Sequence, residues 1–147
     1  MNFRVREVNG SENRLLLQKM QEVCLPETWV YPVTRGWWWL ALDAKGIPAG
    51  FGALSIIDGC RYGYLCRAGV LPTYRGHRLQ ERLIRVREQK AKALGLTILV
   101  TDTSDNPPSA NSLIRCGFKT YTPQQGWGFR HTIYWMKNLV DPGVIPR

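Results

Sequence analysis

Apolar and charged residues alternate from Phe3 to Val8, the period-two pattern of an edge or half-buried strand. Gly10-Ser11 then offers a helix N-cap, and Leu16, Met20 and Val23 follow at i, i+4 and i+7, an amphipathic helix ending near Pro26. Glu27 to Arg35, with Trp29, Tyr31 and Pro32, reads as a short helix or a loop. Three strands come next, at Trp37 to Leu42, Ile47 to Ile57 and Tyr62 to Val70. Asp43-Ala44-Lys45-Gly46 and Asp58-Gly59 form the hairpin turns between them. Gly50 and Gly52 within the second of these strands predict a close approach of another backbone.

Beyond Val70 the pattern changes. Pro72 to Gly76 is a turn, and Arg75 to Leu94 a long helix with Leu79, Leu83, Val86 and Leu94 on its apolar side and Gly95 as its C′ residue. Leu96 to Thr101 carries no charge and reads as a buried strand. A short helix from Ala110 to Arg115 ends at Gly117-Phe118. Strands near Lys119 to Thr122 and Arg130 to Leu139 close the chain, with Asp141 to Arg147 as a fraying tail. The order β-α-α-β-β-β-α-β-α-β-β predicts an α+β fold: a mixed, mostly antiparallel central sheet flanked by helices, one domain over residues 1–140. A doubly wound nucleotide fold would alternate strand and helix throughout.

Composition narrows the function. The 147 residues suit one domain at roughly 150 residues each, and 44% hydrophobic content excludes a disordered or fibrous chain. No apolar run approaches the ~20 residues of a membrane span. The N-terminus lacks the apolar core of a signal peptide, so a cytoplasmic location is expected. A net charge of +9, from 20 basic and 11 acidic residues, implies an anionic partner: nucleic acid, a phosphorylated cofactor or an anionic surface. Cys24, Cys60, Cys66 and Cys116 form no C-x-x-C pair and His77 and His131 lie far apart, so no zinc pattern is present and four reduced, buried thiols are expected.

The most informative segment is Val70 to Gln80. A strand ends, a tight turn follows and a long helix begins, so free backbone N–H groups and the positive helix end face one way. Arg75 and Arg78 add charge there. The spacing predicts a phosphate or diphosphate site at residues 75–80; a helix that starts with basic residues only for solubility is the alternative. Thirty residues later Asn106 stands three before Ser109 and eleven before Gly117-Phe118.

Together these segments resemble the GNAT N-acetyltransferase superfamily. Val70, Pro72, Tyr74, Arg75 and Gly76 match its V-x-P-x-Y-R-G-x-G-x-G/A junction. Asn106, Ser109, Gly117 and Phe118 match its N-x-x-A/S-x-x-x-Y-x-x-x-G-F segment, and the element order fits along nearly the whole chain. The resemblance implies acetyl-CoA as cofactor. Its diphosphate would lie on Arg75, Gly76, His77, Arg78, Leu79 and Gln80, and its pantetheine arm beside the strand ending at Val70, with Asn106 and Ser109 on the arm's other side. A backbone N–H between Cys66 and Val70 would polarise the thioester, and an amine would attack it directly. Arg78 and Gln80 occupy glycine positions of the pattern, with Arg78 expected to turn outward. Leu113 stands at the frequent tyrosine, and Tyr64 falls where many members carry a glutamate.

Without that glutamate the base comes from elsewhere or through water. Asp102 and Asp105 follow the buried strand, although an Asp at a strand end also serves turns. The resemblance implies that Glu27 sits in the segment covering the acceptor site, although an exposed loop Glu is the alternative. Tyr64, Tyr121 and Tyr134 are proton donors or relays unless they are core aromatics, and His131 is a further acid–base candidate, although a lone His at a strand start usually has no such role. No acid or His is patterned around Cys66, so a buried thiol is expected there. Asp102, Tyr64 and Tyr134 are the catalytic candidates. Glu27 to Gly36 and Pro123 to Arg130 would form an aromatic acceptor site. The expected partner is a small-molecule, peptide or protein amine. A nucleic-acid-linked amine, suggested by the basic stripe Arg78, Arg82 and Arg85, and a catalytically silent binding protein are alternatives, and monomer and homodimer both stay open. The rest of that helix, from Arg82 to Lys92, is expected to be a solvated face.

Overall fold

The computed structural model describes residues 2–140. Its elements are β1 (Arg4–Val8), α1 (Arg14–Cys24), β2 (Trp37–Leu42), β3 (Pro48–Ile56), β4 (Tyr62–Val70), a 3-10 turn (Pro72–Tyr74), α2 (Leu79–Ala93), β5 (Ile98–Thr103), α3 (Pro107–Arg115), β6 (Lys119–Tyr121) and β7 (Ile133–Asn138). The strands form one sheet, β1-β2-β3-β4-β5-β7-β6, in which only β4 and β5 run parallel. This is the mixed, mostly antiparallel sheet expected. The tail Asp141–Arg147 lies outside the described residues. No helix among those described is long and apolar enough to cross a membrane.

Alternation along β2 sends neighbouring side chains to opposite faces. Trp38 therefore joins Leu17 and Met20 of α1 with Leu40 and Phe51, while Trp39 joins Leu83 and Ile84 of α2 with Leu54 and Leu65. The two helices cover opposite faces.

Several local expectations change. α1 starts at Arg14 behind Asn13, not at Ser11, because the Asn9 side chain accepts from the Glu12 amide at 3.0 Å and holds residues 10–13 in a turn. Its buried stripe is Leu17, Met20 and Gln21, and Val23 is exposed. Gln21 is buried because it answers both backbone groups of Tyr31, donating to its carbonyl at 3.1 Å and accepting from its amide at 2.8 Å. Those bonds, with the Trp38 indole donating to the Arg35 carbonyl at 2.8 Å, hold residues 25–36 as a loop, so no second helix forms there.

α2 begins at Leu79 rather than Arg75, and Leu94 is exposed beyond its end. The preceding turn is anchored by the Tyr74 hydroxyl, which donates to the Asp43 carboxylate at 2.8 Å in the β2–β3 hairpin. The Ile47 amide, then Tyr74 and the Lys45 amide, hold that carboxylate below its usual range. The expected solvated face of α2 is broken by Arg87, which is buried with the core. Gly52 makes its space: a Cβ there would stand 3.0 Å from the Arg87 Nε. The glycine's neighbour is thus a side chain, whereas a Cβ at Gly50 would stand 2.9 Å from the Gly69 carbonyl oxygen, as a close backbone approach predicts.

Two irregularities open the sheet. Between Tyr64, opposite Ser55, and Arg67, opposite Ala53, Leu65 and Cys66 face one β3 residue, a bulge that bends β4. β4 and β5 then pair only from Tyr62–Ile98 to Tyr64–Val100 and part. The Thr101 hydroxyl bridges the start of the gap, donating to the Leu65 carbonyl at 3.0 Å.

Candidate functional site

The gap between β4 and β5 is a cleft of about 500 Å³. Its β4 wall is an unpaired strand edge. The Leu71 amide donates to the Ala49 carbonyl at 2.8 Å, and hydrogen-bonded positions alternate along an antiparallel pair. Gly69 and Arg67 therefore turn their backbone groups towards β3, and Ala68 and Val70 turn theirs to the open edge. The Val70 side chain itself packs into the core.

At the cleft's end lies the turn into α2. Gly76 has φ +88° with nothing within 4 Å of a Cβ position, and Arg78 takes the left-handed conformation, φ 58°. Arg78 thus adopts backbone geometry that glycine accepts without cost. None of the described residues accepts a hydrogen bond from the backbone amides of residues 76–81. Open amides at a helix start, with no Cβ over Gly76, suit a phosphate. Arg75 and Arg78 are exposed beside them. Leu79 is 2% exposed in the core, so it offers only its amide to an anion at this end, while the exposed His77 rests its ring on Phe3, centroids 5.2 Å apart. Gln80 lines the cleft.

On the β5 wall, Asn106 and Ser109 line the cleft. The Asn106 carboxamide caps α3, accepting from the Ser109 amide at 3.2 Å. Gly117, at φ +89°, ends the helix and Phe118 is core, so this half of the motif is largely architectural.

Asp102 sits at the centre. It accepts from the Tyr64 hydroxyl at 2.6 Å and from the Trp127 indole at 3.3 Å. Burial first, then the Asp102 charge and hydrogen bond, raise the Tyr64 phenol far above its usual range, so it stays protonated. Tyr134 stands opposite Asp102 in the β5–β7 ladder, but its hydroxyl accepts from the Gly128 amide at 2.8 Å and it lines a separate hollow beside Tyr121. It supports Trp127, centroids 4.5 Å apart, without facing the cleft.

Asp105 pairs with His131 at 3.0 Å on the surface, away from Asp102. Glu27, Trp29, Trp127 and Phe129 rim the cleft, so the two aromatic segments meet there. The four cysteines are free, but Cys60 is exposed in a hairpin turn and only Cys66 and Cys116 are buried. Burial raises the Cys66 thiol, the reverse of what a nucleophile needs.

Two arginines in the cleft escaped the sequence reading. Arg67 lies over Trp29 and Tyr31 at 5.8 and 6.0 Å and donates to the Trp29 carbonyl at 3.1 Å. Arg87 projects from α2. The Leu79, Leu83, Arg87 spacing is the available signal for the second; the first depends on the bulge, which no pattern shows.

The sequence pattern of the Acetyltransferase (GNAT) family matches residues 12–118. No curated protein matches. Among solved structures, an acetyltransferase of Bacillus subtilis in complex with CoA superimposes with a TM-score of 0.76 at 14% identity, covering 95% of this chain and 100% of that one. A phosphinothricin acetyltransferase of Sinorhizobium meliloti in complex with AcCoA gives 0.72 at 16% identity, with 94% and 89% covered. The ribosomal-protein-S18-alanine N-acetyltransferase of Escherichia coli gives 0.73 at 11% identity, with 98% and 99% covered.

Proposed function

The chain belongs to the GNAT acetyltransferase family, and from that premise we propose that it transfers the acetyl group of acetyl-CoA to a primary amine by direct attack in a ternary complex. The observation that carries this reading is the continuity of two unpaired backbone surfaces: the amides of residues 76–81, suited to a diphosphate, and the Ala68–Val70 edge, suited to an amide-bearing arm. Ala68 of the edge and Gln80 of the α2 start line the cleft that holds Asp102 and Tyr64.

Bound there, acetyl-CoA supplies an activated acyl thioester. Gly76 lets phosphate approach the backbone, with Arg75 and Arg78 as flanking cations and the Gln80 side chain beside the arm. Asn106 fixes the α3 start, and Ser109 faces the arm's other side. Asp102 takes the amine's proton, directly or through water. Tyr64 and Trp127 orient its carboxylate by donating to it, and Tyr134 positions the 126–128 segment through Gly128. Glu27, Trp29, Arg67 and Phe129 meet the acceptor, a small molecule, peptide or protein amine. Relatives in fold act on phosphinothricin and on a ribosomal-protein alanine.

The test is thiol release from acetyl-CoA across a library of small amines and peptides with free N-termini. Turnover with at least one amine supports the reading. CoA binding with no thiol release from any of them favours a silent binding protein.

A further inference from the structure

Arg87 is a cation inside the protein with no counter-charge among the described residues. Its residue is 2% exposed, and it takes part in none of the ion pairs among the described residues. Its acceptors are all main-chain carbonyls: Leu83 from Nε at 2.9 Å, and Ala53 and Arg67 from Nη1 at 3.1 and 3.4 Å. Nη2 has no acceptor among the described residues, yet it is not sealed away, since Arg67 Nε is the sealed and unpartnered side-chain atom among them. Arg87 lines the cleft with Ile84, one turn earlier on the same helix face, and with Leu65 and Leu113 from the facing elements.

Burying a charge with no opposite charge carries a heavy desolvation penalty. Gly52 withholds a side chain where Arg87 needs space. Burial lowers the guanidinium only to about 10, so it is charged at neutral pH. Three apolar walls ending in an open N–H of a buried cation match a short methylene chain ending in an anion.

We propose that this floor is a carboxylate subsite, and that the enzyme accepts acyl-CoA donors whose short acyl chain ends in a carboxylate. The inference rests on the cleft being the acyl-donor site. The transfer balances as for acetyl: the amine nitrogen bonds to the acyl carbon, the carbon–sulfur bond breaks, sulfur leaves with the electron pair and is protonated to CoA, and the amine gives up one proton. The distal carboxylate is unchanged and stays on the Arg87 guanidinium.

Calorimetric titration decides it without knowledge of the acceptor. Malonyl- and succinyl-CoA are compared with propionyl- and butyryl-CoA, uncharged chains of matched length, and with acetyl-CoA. The expected result is at least tenfold tighter binding of one carboxylated ester than of its uncharged match, with the advantage lost in Arg87→Met and kept in part in Arg87→Lys. No advantage in the wild type overturns the inference, as does an advantage that survives Arg87→Met. The wild-type comparison decides alone if a variant does not fold. Failure of every ester, acetyl-CoA included, to bind overturns the cleft reading and the inference with it.

Discussion

The Tyr64 hydroxyl donates a 2.6 Å hydrogen bond to the Asp102 carboxylate at the point where β4 and β5 part. One residue from each strand thus laces the mouth of the gap. The bond gives Asp102 a fixed direction and leaves Tyr64 as donor, since burial and the neighbouring charge both disfavour a phenolate. Asp102 is the proposed base. Asp102→Asn keeps the shape and removes the charge, so kcat should fall about 100-fold while the KM for acetyl-CoA holds. Steady-state kinetics on the first amine found to turn over checks this. An equal loss in Tyr64→Phe and Asp102→Asn would mean that orientation, not proton acceptance, is the main contribution.

The same pair gives a pH dependence of stability. The folded state holds the Tyr64 proton more tightly than the unfolded chain, so its contribution is complete below the ordinary phenol value of about 10 and declines as pH rises above it. Urea melts between pH 8 and 11 should show a steeper loss above pH 10 in the wild type than in Tyr64→Phe. Parallel curves would contradict the assignment.

The architecture was readable because its signals are local. The alternation at Phe3–Val8, the turns at Gly46 and Gly59 and the Gly95 helix end each depend on a few neighbouring residues. The turn from β4 into α2 is readable for the same reason, as a strand, a turn and a helix start in sequence. What stayed hidden depends on distant partners. Gln21 is buried by its bonds to Tyr31, Arg87 by a space at Gly52, and Arg67 reaches Trp29 only through the bulge at Leu65–Cys66. The strand that carries Tyr134 is legible, but its register opposite Asp102 comes from the β5–β7 pairing, and which hollow its hydroxyl meets is set by the 126–128 loop.

Arg78 is a non-glycine residue at φ 58°. The left-handed region costs such a residue roughly 1–2 kcal/mol, partly offset for glycine by its greater chain entropy. Arg78→Gly should stabilise the protein by up to about 1 kcal/mol, a rise in Tm of roughly 2–4 °C. Arg78→Ala removes the charge but keeps the strain and should not stabilise it. Equal stabilisation by both variants would trace the effect to charge.

Gly52→Ala presses a Cβ to 3.0 Å from the Arg87 Nε. Overpacking of this kind costs about 1–3 kcal/mol. In a double-mutant cycle with Arg87→Met, the flexible thioether should relieve much of that cost, giving a coupling of about 1 kcal/mol. Additive losses would show that Gly52 serves something other than Arg87.

The central claim is that the open amides of the α2 turn and the β4 edge together hold acetyl-CoA. Residue-resolved amide hydrogen exchange, with and without saturating acetyl-CoA, tests it most directly. The amides of residues 76–81 lack acceptors among the described residues and should exchange fast in the free protein, as should those of Ala68 and Val70. Acetyl-CoA should slow both groups together. Binding that leaves them unprotected, or protects residues elsewhere, contradicts the account.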